Sequence, residues 1–367
     1  MFDYNYKAVK VNSIKGRLVT NQDIDPYLES VSPIFPVSIR GKSVEGRTIK
    51  SLSLGSGNTR ILMWSQMHGN ESTTTKAVLD LVNFLKEGSD LAAEILEACT
   101  IKVIPILNPD GALAYTRVNA NLVDLNRDAQ ERTQPESVVL REVYDDFKPD
   151  YCFNLHDQRT IFNVGNTAKP ATVSFLAPAN DPERSISDNR GIAMKLIVAM
   201  NNALQKLIPG QVGRYDDGFN SNCVGDAFQM LNTPTLLFEA GHYPNDYDRE
   251  QTRYYIFIAL MEAIGVITKN KIEANTLTPY FEIPENNKLF YDVIIQNIDQ
   301  VNSTYQTGDC AGILFVETLV GNKIEFAANL EIIGDLSQFY GHKTYNCLDI
   351  KDLETIRNTA NLLNLLK

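Results

Sequence analysis

The sequence has few of the features on which nucleic-acid binding depends. It has 34 lysines and arginines against 45 aspartates and glutamates, which gives a net charge of −11 at pH 7. No cluster of basic residues interrupts this acidic balance. Because contacts to phosphate groups need clustered lysine and arginine, the charge balance argues against nucleic acid as a partner. We expect a peptide or a small molecule instead.

Cysteine is scarce as well. The five cysteines are an odd number, widely spaced, and contain no C-x-x-C pair: Cys99, Cys152, Cys223, Cys310 and Cys347. This spacing predicts reduced, mostly structural thiols and no disulfide framework. Cys152 and Cys223 lie nearest to possible chemistry.

Long hydrophobic runs are missing. No run reaches the roughly 18 apolar residues that cross a bilayer. The first residues, MFDYNYKAVKVNS, lack the basic region and apolar core of a secretory signal. We expect a cytoplasmic protein without a membrane partner, unless a signal has been trimmed from the chain. The sequence contains no low-complexity segment and no convincing repeat. It does not indicate which oligomeric state the protein has.

The composition is that of an ordinary globular protein. Of the 367 residues, 44% are hydrophobic and 22% are charged. This length accommodates one large catalytic domain with a smaller one, or two to three ordinary domains.

Apolar strands alternate with amphipathic helices through most of the chain. Four apolar segments are predicted to be buried strands: TRILMWSQ, CTIKVIPIL, YCFNLHDQ and TPTLLFEAGH. They are separated by helical patterns such as ESTTTKAVLDLVNFLKEG. This order predicts an α/β fold with a mixed, mostly parallel sheet and helices on both faces. A short helix is expected to begin near Ile24 to Pro26, and Asn108 to Gly111 (N-P-D-G) to form a turn.

From about Asn275 the pattern changes to short strand-like runs, followed by one amphipathic segment, LETIRNTANLLNLL. We therefore expect a catalytic domain at residues 1–270 and a linker at 271–274. The remainder, residues 275–367, is expected to be a small α+β or β-rich accessory domain.

Four polar residues stand at or just after the ends of apolar strands: His68, Glu71, His156 and Glu239. Active sites of open α/β sheets lie beyond the carboxyl ends of their strands. A catalytic zinc site takes three protein ligands of the imidazole or carboxylate type. H-x-x-E alone is a weak signal, but LNPDG, VDLNRD, NLHD and LLFEAG follow it in order. His156 and His242 are the only other histidines in the candidate catalytic domain, and His156 ends a strand whereas His242 lies on a loop.

From about Asp23 to Val266 the chain resembles the zinc metallocarboxypeptidases of the carboxypeptidase A type, as a bacterial-type member. The resemblance begins at GKSVEGRTI, passes through H-G-N-E, N-P-D-G and D-L-N-R, and closes with L-H and F-E. It implies one zinc ion per chain and hydrolysis of a peptide or small amide next to a residue with a free carboxylate. It also implies His68, Glu71 and His156 as zinc ligands, and Glu239 as general base and acid.

The same resemblance implies four further roles. Arg117 matches the arginine that polarises the scissile carbonyl, and Asn126 and Arg127 match the pair that binds the terminal carboxylate. Tyr215 matches the mobile tyrosine that closes over the substrate. The chain departs from the digestive branch at Asn70, where that branch has an arginine.

The loop DDGFNSNCVGDAF also departs from the family pattern, so the base of the side-chain pocket has three candidates: Asn222, Cys223 and Asp226.

Two alternatives remain open. Deacylases similar to aspartoacylase and succinylglutamate desuccinylase share the zinc set and a small β-rich domain, but N-P-D-G, Arg117 and the long helix after Glu239 resemble the peptidases more. A non-catalytic binding module is disfavoured because the general base and all three ligands are present. As to the substrate, the sequence does not distinguish between ordinary peptides and cell-wall peptides that are cut at a γ-D-glutamyl bond.

Overall fold

A computed structural model of the protein describes residues 5–367. The strands in chain order are β1 (Val37–Lys42), β2 (Thr48–Leu54), β3 (Thr59–Ser65), β4 (Cys99–Ile104), β5 (Tyr151–Asp157), β6 (Asn163–Val164), β7 (Val173–Leu176), β8 (Val212–Arg214), β9 (Thr235–Ala240), β10 (Asn286–Asn287), β11 (Phe290–Gln296), β12 (Cys310–Val320), β13 (Lys323–Gly334) and β14 (Tyr340–Asn346). The helices are α1 (Tyr6–Val9), α2 (Asn21–Val31), α3 (Thr73–Lys86), α4 (Asp90–Ala98), α5 (Pro109–Ala114), α6 (Pro135–Phe147), α7 (Asp188–Leu204), α8 (Val224–Met230), α9 (Glu250–Thr268), α10 (Thr278–Glu282), α11 (Ile350–Asn358) and α12 (Ala360–Leu363). Within residues 5–367 we find no helix with the length and apolar character needed to span a lipid bilayer.

The largest sheet has eight strands in the order β1-β2-β4-β3-β5-β9-β7-β8. Its centre is parallel, because β4, β3, β5 and β9 run in one direction. The β1–β2 and β2–β4 pairs at one edge are antiparallel, as is the β7–β9 pair towards the other. The fold is therefore the expected α/β class with a mixed sheet.

Helices cover both faces of this sheet. Strand β3 illustrates why, since Ile61 and Met63 pack in the core under α3, α7 and α9. Leu62 and Trp64 point the other way, into a second core under α6 and α8. Successive side chains of a strand alternate between faces, so a strand that is apolar throughout needs cover on both sides.

The last part of the chain forms a separate four-stranded sheet in the order β13-β12-β11-β14. Together with α11 and α12 it encloses its own apolar cluster around Ile295, Ile313 and Ile356. Tyr280 and Ile283, which precede this sheet, pack instead in the core of the large sheet. The division into residues 1–270 and 275–367 stays a proposal.

The small sheet contacts the segment that follows β9 through a pair of imidazole rings. The ring of His342 on β14 lies 4.2 Å from that of His242 at an interplanar angle of 49°, and within the small sheet it stacks on Phe290 at 4.3 Å with an interplanar angle of 8°. The Nε2 of His342 donates to the carbonyl oxygen of Thr160 over 2.8 Å. Burial and the neighbouring imidazole lower the pKa of His242 to about 2, so this contact is made between neutral rings.

Two local expectations were wrong, and one helix was not predicted. Helix α2 begins at Asn21, one turn before the expected start, because Asp23 accepts from the backbone N–H of Thr20 over 2.8 Å and caps the helix. N-P-D-G is the first turn of α5 and not an isolated turn, since Pro109 occupies the first helical turn and Asn108 accepts from the N–H of Gly111. Helix α4 was not predicted.

A buried group of charges ties α9 to α3. The ammonium of Lys76, which is fully buried, lies 2.6 Å from Glu250, and Lys10 binds the same carboxylate over 2.7 Å. Burial would raise the pKa of Glu250, but the charge of Lys76 and the hydrogen bonds from Lys10 and Lys76 lower it to about 2. Burial lowers the pKa of Lys76 to about 8, so both groups are charged between pH 2 and 8.

We expect the carboxylate of Glu250 to make the free energy of unfolding depend on pH in the acidic range. Because the pKa of Glu250 is about 2 in the folded state and ~4.3 for an unperturbed glutamate, its stabilisation is present above the unfolded value and is lost as the pH falls towards 2. Denaturant unfolding of the wild type between pH 5 and 2 should lose roughly 1–3 kcal/mol that Glu250→Gln does not lose. At pH 7 the variant should be less stable because Lys76 is left buried without its carboxylate.

The matched control is Glu94→Gln, which changes an exposed glutamate on α4. That variant should follow the wild-type pH profile. Parallel profiles for the wild type and Glu250→Gln would contradict the assignment.

Candidate active site

The first two candidate ligands lie on the connection between β3 and α3. His68 and Glu71 follow the end of β3 by a few residues, and both side chains are buried. Between them, a Cβ on Gly69 would come within 1.9 Å of the carbonyl carbon of Gly111. Only a glycine permits this approach of two backbones, and it holds the H-G-N-E and N-P-D-G segments side by side.

His156 and Glu239 are brought to the same place by strand pairing. His156 lies on β5 directly opposite Glu239 on β9 in the parallel register. β5 is also paired in parallel with β3, so the ends of all three strands meet at one edge of the sheet. The expected placement at the carboxyl ends of the strands is what the structure has.

Three donor atoms converge at this edge. The Nδ1 atoms of His68 and His156 lie 3.1 Å apart, and the two carboxylate oxygens of Glu71 lie 2.8 and 2.9 Å from them. Of the described residues, these form the one group of histidine, cysteine and acidic side chains close enough to hold a metal ion. Ligand atoms of a tetrahedral zinc site, each about 2.0–2.2 Å from the ion, stand roughly 3.3 Å from one another, so the donor set and its spacing fit zinc.

The charges of this group are consistent with a cation site. Burial would raise the pKa of Glu71, but the charge of His68 and hydrogen bonds with both histidines hold it well below its usual range. Burial lowers the pKa of His156 and keeps its imidazole neutral. For His68 the effect of burial is outweighed by Glu71 and Asp124, so its pKa is raised.

Two aspartates contact the candidate ligands. The Nε2 of His68 lies 3.0 Å from Asp124. The backbone N–H of Asp157 donates to Glu71 over 3.1 Å, and the Asp157 carboxylate accepts from the N–H of Thr73 at the start of α3. Such contacts fix the ring of a metal-binding histidine in one orientation. Asp124 and Asp157 lie inside VDLNRD and NLHD, but the sequence reasoning assigned them no role.

Arg117 lies beside the donor group. Its guanidinium is half exposed, 3.3 Å from Glu71 and 3.1 Å from Asp124. This position lets it approach a group bound at the donor cluster from the solvent side.

Asn126 and Arg127 lie in a 3₁₀ turn (Leu125–Arg127) that faces the start of α8. The Oδ1 of Asn126 accepts from the N–H of Val224 over 3.1 Å, which leaves its amide nitrogen without a hydrogen bond among the described residues. Arg127 donates to the carbonyl oxygen of Asn126 over 2.7 Å and forms no ion pair within residues 5–367. Both side chains therefore have donors available for a carboxylate.

Glu239 and Tyr215 complete the surroundings of the donor group. Glu239 is buried, and its Oε2 has no hydrogen-bond partner among the described residues. Burial and the charges of Glu71 and Asp157 raise the pKa of Glu239 well above its usual value. Burial and the charge of Glu239 likewise raise the pKa of Tyr215, whose ring packs against Phe162 at 5.3 Å.

All eight predicted site residues line one cavity of about 340 Å³: His68, Glu71, Arg117, Asn126, Arg127, His156, Tyr215 and Glu239. Cys223 and Asp226 line it as well, whereas Asn222 does not and accepts instead from the N–H of Gln130. Burial raises the pKa of Asp226 to about 6, and its carboxylate accepts from the backbone of Asn220.

Arg159 also lines the cavity and was missed. The one feature of the sequence that could have indicated Arg159 is its position three residues after His156.

Comparison with known proteins supplies the family. The model of the zinc carboxypeptidase family of peptidases matches residues 23–221, more than half of the chain. The chain belongs to the zinc carboxypeptidase family. The resemblance seen in the sequence is thereby confirmed, and family membership implies zinc as the metal.

Individual relatives are similar over shorter stretches. Carboxypeptidase 2 of Trichophyton rubrum is 29% identical over 139 residues, which are 35% of this chain and 25% of that protein. Carboxypeptidase B of Astacus astacus is 34% identical over 101 residues, 26% of this chain and 33% of that protein. The chain thus spans between a quarter and a third of the length of these curated relatives.

Solved structures share the fold. A metallo-carboxypeptidase from Burkholderia cenocepacia has a TM-score of 0.55 at 19% identity, covering 69% of this chain and 70% of that one. The carboxypeptidase A of Helicoverpa armigera has a TM-score of 0.55 at 18% identity, covering 69% and 74%. The likeness to these family structures confirms the predicted fold class.

Proposed function

We propose that the protein is a zinc-dependent carboxypeptidase that hydrolyses the amide bond preceding a residue with a free carboxylate. One observation supports this most. A three-donor metal group, a buried glutamate opposite one of its histidines and an unpaired arginine line a single cavity of about 340 Å³.

His68, Glu71 and His156 are the proposed ligands, with one zinc ion per chain. A zinc ion held there would supply a Lewis acid and lower the pKa of a water molecule to ~7. Asp124 orients the ring of His68, and Asp157 orients the Glu71 carboxylate through its N–H.

Glu239 is the proposed general base and acid. It takes a proton from the attacking water and passes it to the amine that leaves. Its Oε2 has no competing donor among the described residues, and it lies across the β5–β9 pair from His156. A buried carboxylate on the strand next to a candidate ligand is suited to this proton transfer.

Arg117, Asn126 and Arg127 are the proposed substrate-binding donors. Arg117 stabilises the charge that develops on the carbonyl oxygen, which is worth ~10²–10³ in rate for one such donor. Arg127 and the amide nitrogen of Asn126 bind the carboxylate of the departing residue, because neither is occupied by a protein carboxylate. Tyr215 covers the substrate from the side of Glu239.

A second candidate function is deacylation of N-acyl amino acids. The observation that favours it is the small sheet after residue 290, which packs beside the site. A side-by-side assay of blocked dipeptides, N-acyl-aspartate and muropeptides, each with and without chelator, separates the two functions. It also separates ordinary from cell-wall peptides.

The zinc assignment predicts metal content. We expect about one zinc per wild-type chain, and His156→Ala to lose it, because two remaining side chains hold zinc poorly. The measurement is elemental analysis after dialysis. His342→Ala removes an imidazole outside the donor group and should keep the metal; full zinc in His156→Ala would end the assignment.

The general-base assignment predicts that replacing Glu239 leaves zinc binding intact and lowers kcat. Glu239→Gln should keep its zinc and lose ~10²–10⁴-fold or more in kcat, since the amide cannot accept the proton. Steady-state kinetics on a blocked dipeptide measure the loss, and Glu94→Gln serves as control. Hydrolysis by Glu239→Gln at a near wild-type rate would refute the assignment.

The carboxylate-binding assignment predicts a substrate-dependent effect. Arg127→Ala should raise KM roughly 10–100-fold for substrates with a free terminal carboxylate, because a charge-assisted contact of ~1.5–3 kcal/mol is lost. Amidated substrates should change much less, and Arg141→Ala, on the exposed side of α6, should affect neither. Equal effects on both substrates would remove the exopeptidase interpretation.

A further inference from the structure

A second cavity, of about 310 Å³, lies between the two sheets next to the candidate site. One wall is the β12–β13 hairpin, which contributes Phe315, Val316 and Phe326. The facing wall contains Asn70 of H-G-N-E and Arg159. Asn70 therefore opens onto a space that is closed by the C-terminal sheet.

Arg159 joins the two cavities, because it lines both of them. It lies two residues after the end of β5, is exposed, and makes no hydrogen bond or ion pair within residues 5–367. Arg117, in contrast, is paired with Glu71 and Asp124. Arg159 is thus a guanidinium available for an anion at the junction of the cavities.

The second cavity continues away from the proposed carboxylate-binding residues. Asn126, Arg127 and Asp226 line the first cavity, and none of them lines the second. A substrate whose terminal carboxylate lies at Arg127 and whose scissile bond lies at the donor group therefore extends its amino-side portion towards Arg159.

The wall formed by the hairpin is anchored. Glu317 on β12 binds Arg17 over 3.2 Å and accepts from the hydroxyl of Tyr115. Arg17 in turn lies 3.6 Å from the carboxylate of Asp157, the residue after His156. The charge of Glu317 is therefore balanced by the protein and does not oppose an anion at Arg159.

The second carboxylate of this cavity is also occupied. Asp292 is buried and accepts from the N–H of Phe315 over 2.8 Å and from the hydroxyls of Tyr247 and Thr160. The rings of Phe315 and Phe326 pack on Tyr247 at 5.3 and 5.2 Å. This gives the cavity an apolar side with Arg159 as its unpaired cation, whereas Asp292 is held by neutral hydrogen-bond donors and has no ion-pair partner among the described residues.

We propose that the second cavity binds the amino-side group of the substrate, and that Arg159 binds an anionic group on it. This inference rests on the proposed hydrolytic function. It names the substrate class as peptidyl or N-acyl amino acids with two carboxylates: one on the departing residue, at Arg127, and one on the acyl portion, at Arg159. The alkyl part of the acyl group lies along the Phe315 and Phe326 wall.

Binding tests the proposal without relying on turnover. Calorimetry on zinc-loaded Glu239→Gln protein compares N-succinylalanine with N-acetylalanine, which differ by one carboxylate on the acyl group. We expect the succinyl compound to bind at least ~10-fold more tightly, as one charge-assisted contact allows. Adding Arg159→Ala should abolish the difference, and adding Arg141→Ala should keep it.

Equal affinities, no detectable binding of N-succinylalanine, or a preference that survives Arg159→Ala would each overturn the proposal. Its failure can be told apart from failure of the hydrolytic function. Wild-type hydrolysis of blocked dipeptides with no preference for an acidic acyl group contradicts this inference alone. Arg159-dependent binding without any chelator-sensitive hydrolysis contradicts the hydrolytic function alone.

A second variant tests the wall. The ring of Phe326 lines the cavity and packs on Tyr247 at 5.2 Å, so Phe326→Ala removes apolar surface from the wall. We expect it to weaken binding of N-succinylalanine severalfold and to leave N-acetylalanine unchanged. Unchanged affinity for the succinyl compound would show that the acyl group does not enter this cavity.

Discussion

The candidate site depends on the parallel pairing of β3, β5 and β9. Parallel neighbours end at the same edge of a sheet, so residues far apart in the chain meet there without any dedicated loop. The register of β5 and β9 sets His156 against Glu239, and the connection after β3 delivers His68 and Glu71 to the same edge. A shift of one residue in either pairing would turn the side chain of His156 or Glu239 to the opposite face.

The close backbone contact of Gly69 with Gly111 positions the residues of the site that do not lie on the parallel strands. It brings the segment after α5 against H-G-N-E, and this segment carries Arg117 and Asp124. Asp124 can then reach the ring of His68 and Arg117 can reach Glu71. Two short motifs separated by about forty residues thus act as one structural unit, held by backbone packing and by a hydrogen bond from the side-chain amide of Asn108 to the carbonyl oxygen of Met67.

The sequence was sufficient for those parts of the fold in which a local pattern sets the structure. Buried strands flanked by helices predicted the sheet, and residues at strand ends predicted where His156 and Glu239 lie. The start of α2 was mispredicted because Asp23 caps the helix one turn earlier, which leaves Pro26 inside it and not at its start. The helical nature of N-P-D-G was mispredicted because capping by Asn108 outweighs the turn signal of Pro109.

The proposed role of Arg159 could not be predicted from the sequence, because the opposite wall of its cavity comes from β12 and β13, some 150 residues later. The link of Asp124 to His68 likewise depends on how a loop folds across the sheet edge. Such contacts between distant segments leave no periodic trace in the chain, whereas strand burial does.

The anchored hairpin also has a consequence for how the protein is made. Chains fold as they are synthesised from the amino terminus. β3, β5 and β9 are complete by residue 240, so the metal-binding edge can assemble before Phe315 and Phe326 have been added. During that interval Arg17 has no Glu317 to balance it, and the second cavity is an open surface. On the proposal made above, selection of the acyl group is therefore the last property that the nascent chain acquires, because it needs the docked C-terminal sheet.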